Sequence, residues 1–161
     1  REVRPRLVPG RRPGLRRLVP LEEIVTRTLQ ISPAAWSDHA AGLLAAALRL
    51  STTTVDNLRH GCAEGRMKLW RVADAIENAI VGYYVTWIDS LDCGDELVIV
   101  AATGRLPGVP LTRCVLPVIE ALAAGGGCSS VRVHSIRPGM LKALARQGYN
   151  PSEIVYRKVI A

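Results

Sequence analysis

The sequence predicts an α+β domain in which helices pack on a mixed β-sheet. Three observations carry this prediction. Apolar residues recur at helical spacing before residue 60. Runs of β-forming residues follow between residues 67 and 102, joined by short polar connections. The segment 97–136 then alternates strand, helix and strand, which is the pattern of a βαβ unit with two parallel strands.

The first 17 residues differ from the rest of the chain in composition. They contain seven arginines and one glutamate, a net charge of +6, whereas the whole chain of 161 residues carries a formal charge of +7. Pro5, Pro9 and Pro13 exclude a helix or a central strand. We therefore predict an extended arm at 1–17 and one domain at 18–161. The candidate partner-binding residues of the arm are Arg1, Arg4, Arg6, Arg11, Arg12, Arg16 and Arg17.

The charge of the arm predicts a binding partner. Several arginines cannot be buried against a nearly neutral domain without paired acids. A guanidinium group binds carboxylates and phosphates equally well, so the partner is either an acidic protein surface or nucleic acid. A merely solvated tail is the alternative interpretation.

Three helices are predicted between residues 20 and 60. Pro20 is placed for a first helical position, and Ser32 with Pro33 would cap and begin a second helix. A third helix is expected from about Thr53 to His60, with Gly61 as its stop. The helical spacing of the first segment is set by Leu21, Ile24, Val25 and Leu29.

A mixed sheet is predicted from residue 65 onward. Met67–Ala73, Ile80–Ile88 and Leu97–Ala102 would form an antiparallel meander. A crossover helix follows, and Pro117 inside it predicts a kink or a late start. The elements expected after the meander are the helix Leu111–Ala124, the strand Ser130–Ile136 parallel to Leu97–Ala102, the helix Met140–Gln147 and the strand Ile154–Ile160.

Neither a metal nor a membrane partner is predicted. The cysteines at 62, 93, 114 and 128 match no zinc spacing and are expected to be reduced thiols, buried or half-buried. Asp38 and His39 are of ligand type, but neighbours on a helix point apart. No apolar run reaches the length that a transmembrane helix needs.

The turn between the third strand and its helix resembles the pyrophosphate-binding turn of the GNAT family of acetyltransferases. That family's turn has Arg or Gln, two residues, Gly, one residue, then Gly or Ala. Arg105 and Gly108 fit this pattern, and Pro110 stands at its last position. The resemblance covers residues 65–160 and implies acetyl-CoA at the start of the next helix. The cofactor-binding residues would be Arg105, Gly108, Val109 and Leu111.

Other motif positions depart from the family. The general acid of its members is a Tyr four residues before a Gly-Phe pair, and here Leu144 precedes Gly148-Tyr149. Leucine cannot donate a proton. Arg137 stands where many members have Asn. It would either bind a phosphate or be a surface charge. The candidate general bases are Glu77, Asp89, Glu96 and His134, and none of them is assigned a catalytic role. No cofactor is expected, and acetyl-CoA is the one alternative.

Two functions follow from this resemblance. The run from Leu58 to Trp70 and the Gly-Tyr ending resemble small GNAT-like proteins encoded among the structural genes of tailed bacteriophages. That resemblance implies a non-catalytic virion or virion-assembly protein, in the virion or host cytoplasm. The arm would attach it to other virion proteins or to DNA, within an oligomeric assembly. The alternative is an acetyl-CoA-dependent N-acetyltransferase.

Overall fold

The central feature of the structure is one mixed five-stranded sheet. The computed structural model describes residues 29–49, 51, 53–135 and 137–152. Neighbouring strands follow chain order; the first four are antiparallel and the fifth is parallel to the fourth. The elements are β1 (Leu29–Pro33), α1 (Asp38–Ala47), α2 (Val55–Ala63), β2 (Met67–Asp74), β3 (Ala79–Leu91), β4 (Gly94–Gly104), α3 (Leu111–Gly125), β5 (Ser130–Val133) and α4 (Pro138–Ala145).

Two hydrophobic clusters cover the two faces of the sheet. Successive side chains of a strand point to opposite faces, so Tyr83 and Tyr84 on β3 enter different clusters. Tyr83 packs with Leu44 of α1 and Leu58 of α2, whereas Tyr84 packs with Leu116 of α3. Both tyrosines are buried core residues.

The βαβ prediction is confirmed. Residues Glu96–Ile99 of β4 pair in parallel with Ser130–Val133 of β5, and α3 connects the two strands. Pro117 lies inside α3, which begins at Leu111, so the predicted late start is wrong. Proline donates no N–H, so the carbonyl of Arg113 loses its helical partner there.

The second predicted helix exists as α1 but begins later than predicted, and the last residue expected in the first helix lies in a strand. Leu29, expected in a helix, belongs to β1, and Ser32 and Pro33 pair with β2 instead of capping a helix. Leu29 and Ile31 both pack against the α3 cluster. Side chains two positions apart point to the same face of a strand, so this spacing fits an edge strand. The true cap of α1 is Ser37, whose hydroxyl accepts from the Ala40 N–H at 3.2 Å.

Gly61 does not stop the third helix. It is a buried residue inside α2, and a Cβ added there would lie 2.7 Å from the Met67 sulfur. A larger residue at this position would require the Met67 side chain to shift. It ends at Ala63, and Gly65 with φ +74° takes the left-handed conformation after it.

Several predictions fall outside the described residues. These are the arm at 1–17, the helix before residue 29 and the strand Ile154–Ile160. In the described part, no helix is both long and apolar enough to cross a bilayer. All four cysteines are free thiols; Cys62 and Cys128 are half-buried, while Cys93 and Cys114 are exposed. Burial raises the pKa of the Cys62 thiol.

Candidate functional site

The sheet opens into a fork where β5 ends. Strand β5 stops at Val133, whereas β4 continues beyond its last partner residue, Ile99, to Gly104. Within the described part of the chain, the edge of Val100–Gly104 on this side has no strand partner. An unpaired edge presents alternate N–H and C=O groups to any extended molecule that enters.

A β-bulge marks the start of the fork. In the β3–β4 ladder Val85 pairs with Ala101 and Thr86 with Ile99, so Val100 is an extra residue without a partner on β3. Such a bulge bends the strand and leaves backbone groups outside the ladder. No sequence signal marks Val100 as special, because its side chain is an ordinary β-former.

The turn after β4 is fixed by backbone contacts. The Arg105 N–H donates to the Val81 carbonyl at 2.9 Å, just beyond the point where Gly82 faces Gly104. A Cβ on Gly82 would overlap the Thr103 carbonyl oxygen. The close approach of β3 and β4 at this glycine pair therefore sets where the Arg105 backbone lies.

Residues 106–109 form a tight turn. The Val109 N–H donates to the Leu106 carbonyl at 3.1 Å, and Gly108 has φ +76°. Proline at the second position and a left-handed glycine at the third are the signature of a type II turn. Val109, one of the predicted cofactor-binding residues, thus uses its N–H inside the turn.

The first turn of α3 offers free donors to the fork. Pro110 is its N-cap and provides no capping side chain, and the N–H groups of Arg113 and Cys114 both donate to the Pro110 carbonyl. Among the described residues, the N–H groups of Leu111 and Thr112 have no backbone acceptor. Unsatisfied N–H groups and the positive end of the helix dipole favour an anion.

These groups fit a pyrophosphate in part. Leu111 and Thr112 present N–H groups, and the exposed Arg105 can supply charge. A Cβ on Gly108 would meet nothing within 4 Å, so this glycine serves the turn and leaves open space beside it. Cofactor binding by Arg105, Gly108, Val109 and Leu111 stays a prediction, with the Val109 N–H engaged inside the turn.

Helix α1 crosses the fork on the opposite face from α3. At its start the His39 Nδ1 lies 3.2 Å from the Tyr83 hydroxyl, on β3. At its end the Arg137 guanidinium donates to the Ala47 carbonyl at 3.0 Å. Because Arg137 follows β5, α1 runs from β3 across β4 to the far side of the fork. Arg137 thereby compensates the negative end of the α1 dipole.

Two of the candidate bases lie at the closed end of the sheet. Asp89 and Glu96 face each other across β3 and β4. Arg132 of β5 contacts both carboxylates, at 2.6 Å and 3.0 Å, and Ser130 donates to Glu96 at 2.8 Å. The single positive charge of the guanidinium offsets the repulsion between the two facing carboxylates. This cluster ties three strands together and lies in the paired part of β4 and β5, before the fork.

The other two candidates lie outside this cluster. His134 follows Val133, so it lies where the fork begins, and it is exposed. Glu77 is exposed in the turn between β2 and β3, at the end of the sheet where β4 finishes. Within the described residues, no group of three His, Cys, Asp or Glu side chains comes together.

The position that corresponds to the family's general acid is apolar and buried. Leu144 is 6% exposed and packs in the cluster beneath α3. The hydroxyl of Tyr149 donates to the Glu120 carboxylate at 2.9 Å. Burial and this carboxylate raise the pKa of Tyr149.

The surface grooves lie away from the fork. Two shallow grooves of about 400 and 470 Å³ flank α2, and neither includes a residue of β4, β5 or α3. The predicted arm residues are outside the described range, so the structure leaves the partner-binding arginines untested.

Comparison with solved structures shows a GNAT acyltransferase fold. The chain is similar to glucosamine-6-phosphate N-acetyltransferase from Arabidopsis thaliana, with 16% identity, a TM-score of 0.59 and coverage of 83% of this chain and 99% of that one. It is also similar to ribosomal-protein-alanine N-acetyltransferase from Brucella melitensis biovar Abortus 2308, with 14% identity, a TM-score of 0.63 and coverage of 83% and 99%.

A third similar structure is described as a regulator. It is a transcriptional regulator from Bacillus halodurans C-125, with 15% identity, a TM-score of 0.64 and coverage of 83% of this chain and 100% of that one. No family model matches the chain. No curated protein matches it either. At these identities the likeness concerns the fold, and function has to be argued from the site.

Proposed function

We propose that this chain is a non-catalytic GNAT-fold interaction protein. One observation carries the proposal: Leu144, buried in the core, stands where the family's general acid would be. A leucine cannot protonate a departing thiolate. In addition, Arg132 binds the Asp89 and Glu96 carboxylates at the closed end of the sheet, which leaves them poorly placed as bases.

The interaction role proposed is that of a virion or virion-assembly component of a tailed bacteriophage. Its support is the sequence resemblance of the segment Leu58–Trp70 and the Gly148-Tyr149 ending. In the structure Leu58 is fully buried and Trp70 stacks on Tyr84, so both residues build the core. The arginine-rich arm at 1–17 would make the attachment, to another virion protein or to packaged DNA.

The test of this role is where the chain is found. Particles purified by density gradient from a host that carries the gene should contain the full chain in a fixed ratio to the capsid protein. A version that lacks residues 1–17 should be missing from those particles. Full chain that stays entirely in the soluble fraction would overturn the virion role.

A second candidate function is an acetyl-CoA-dependent N-acetyltransferase, and the fork favours it. Acetyl-CoA would supply an activated acetyl thioester to an amine. Its pyrophosphate would be held by the N–H groups of Leu111 and Thr112 and by Arg105. The edge of Val100–Gly104, which has no strand partner among the described residues, can hydrogen-bond the amides of its pantetheine arm. The exposed His134, where the fork begins, would be the base of this alternative.

Calorimetry with acetyl-CoA tests the second candidate. The matched variants are Arg105→Glu and Arg59→Glu, because Arg59 is an exposed arginine on α2, on the other face of the sheet. The transferase hypothesis expects binding that Arg105→Glu abolishes and Arg59→Glu preserves. An absence of heat at millimolar acetyl-CoA would remove this candidate and leave the interaction role standing.

A further inference from the structure

The outward face of α3 is apolar along its whole length. Helix α3 has 15 residues, of which only Arg113 and Glu120 are charged. A surface helix ordinarily turns polar residues to solvent. Here Val118 and Leu122 are each 41% exposed. The other uncharged residues exposed on this side are Cys114, Pro117, Ala121, Ala124 and Gly125.

The two charges of α3 lie on one edge of that face. At about 3.6 residues per turn, positions seven apart return to nearly the same side of a helix. Arg113 and Glu120 are both exposed and are separated by seven residues, with Pro117 close to their midpoint. Arg113 has no ion pair within the described part of the chain. Tyr149 holds the Glu120 carboxylate by one oxygen.

This arrangement is complementary to itself. If a second α3 packs antiparallel on the first, with the two-fold axis near Pro117, Arg113 of each copy meets Glu120 of the other. On the opposite edge, Leu122 of each copy meets Leu111 of the other by the same operation. An isologous interface requires one surface to match its own rotated copy in this way.

We propose that the outward face of α3 binds a second copy of this chain as an antiparallel helix pair. The apolar centre supplies the driving force, and two Arg113–Glu120 contacts fix the direction and register. Ala121 and Gly125 let the two backbones approach closely. One helix is a small contact surface, of the size found in weak and transient complexes, so we expect monomer and dimer to exchange.

Analytical ultracentrifugation of the full chain tests this pairing. The unmodified chain should show a monomer–dimer equilibrium, and Val118→Glu should abolish it by placing a charge in the apolar centre. Arg113→Glu and Glu120→Arg should each raise the dissociation constant about tenfold, because each creates two like-charge contacts. The double variant Arg113→Glu/Glu120→Arg should restore the original value.

The restored dimer is the decisive outcome. Glu120→Arg also removes the Tyr149 contact, but the double variant lacks that contact too, so rescue can come only from charges meeting across the interface. Arg59→Glu, far from α3, serves as the control and should leave dimerisation unchanged. A monomer at all concentrations, a dimer insensitive to Val118→Glu, or the absence of rescue would each overturn the proposal.

Discussion

At the scale of single residues, Arg132 decides what two acidic side chains can do. Asp89 and Glu96 face each other across neighbouring strands, an arrangement that is destabilising without a cation. The side chain of Arg132 is 19% exposed and contacts both. The same residues that sequence reasoning considered as general bases are therefore part of the structural framework.

Replacing Arg132 should destabilise the domain. Arg132→Met leaves two facing carboxylates without a counter-charge and should lower the free energy of unfolding by about 2 to 3 kcal/mol. Adding Glu96→Gln should recover part of that loss because it removes one of the two facing charges. Urea unfolding measures both. A loss in Arg132→Met no larger than in the exposed-site control Arg146→Met would contradict this account.

Two tyrosines make the free energy of unfolding depend on pH in the alkaline range. Burial raises the pKa of Tyr84, and burial with the Glu120 carboxylate raises the pKa of Tyr149. A tyrosine in the unfolded chain ionises near pH 10. The stabilisation by the protonated forms is therefore complete below about pH 10 and is lost as the pH rises above it.

Tyr149→Phe separates one of these groups. This variant should lose about 1 kcal/mol at neutral pH with the Glu120 hydrogen bond. Its free energy of unfolding should then fall less steeply above pH 10 than that of the unmodified chain. Thermal unfolding at a series of alkaline pH values measures both effects, and parallel pH curves for the two proteins would contradict the assignment.

At the scale of elements, the close approach of β3 and β4 at one glycine pair positions the fork. Gly82 faces Gly104, and the Thr103 carbonyl lies where a side chain on Gly82 would begin. The Arg105 N–H donates to the Val81 carbonyl, and the turn toward α3 starts at this residue. The position of the turn thus depends on Gly82. The sequence pattern around Gly82 predicts an ordinary β-strand and does not mark this glycine.

Gly82→Ala tests this dependence. Backbone atoms cannot move aside as a flexible side chain can, so the added methyl group should cost about 3 kcal/mol of stability. Gly42→Ala is the matched control, because Gly42 lies in α1 with nothing within 4 Å of its missing Cβ. Alanine should stabilise that helix by up to about 1 kcal/mol. Equal effects of the two substitutions on urea unfolding would refute the crowding argument.

The elements that sequence predicted correctly have strong local signals. The meander and the βαβ unit follow from β-forming runs, a helical stretch and a triple glycine. The errors arose where tertiary packing overrides local pattern. Ser32-Pro33 has the pattern of a helix start but pairs with β2, and Gly61 has the pattern of a stop but sits under Met67.

The site was predictable only in part for the same reason. The turn at Arg105 follows from its Gly and Pro residues, which encode local conformation. The bulge at Val100 and the contact of Arg132 with two other strands depend on register, which one strand's sequence does not contain. The pairing of Asp89 with Glu96 is different, because counting outward from the two-residue turn Asp92–Cys93 places these residues opposite each other. The sequence alone could have predicted this pair.

At the scale of the whole molecule, charge and fold are separate parts of the chain. Residues 1–17 carry +6 of the formal +7, and residues 18–161 are nearly neutral. We expect that the arm binds a partner and contributes little to the domain. On this proposal the GNAT fold would carry that arm and the outward face of α3.

Deleting residues 1–17 tests this division. The truncated chain should unfold within about 0.5 kcal/mol of the full chain, because the deletion removes no part of the described core. It should also lose partner binding. If duplex DNA is the partner, the affinity of the full chain should fall with salt at a slope of about −0.9 per phosphate neutralised. Loss of the folded domain on truncation, or unchanged binding, would contradict the assignment.

The most direct test of the central claim is a turnover assay. The full chain is incubated with acetyl-CoA and primary amines, among them polyamines, amino-terminal peptides and aminoglycosides, and released CoA is measured by chromatography. With a buried leucine at the position of the acid, we predict no release above the rate in buffer. Amine-dependent release of CoA that both Arg105→Glu and His134→Ala abolish would contradict the account and establish the chain as an acetyltransferase.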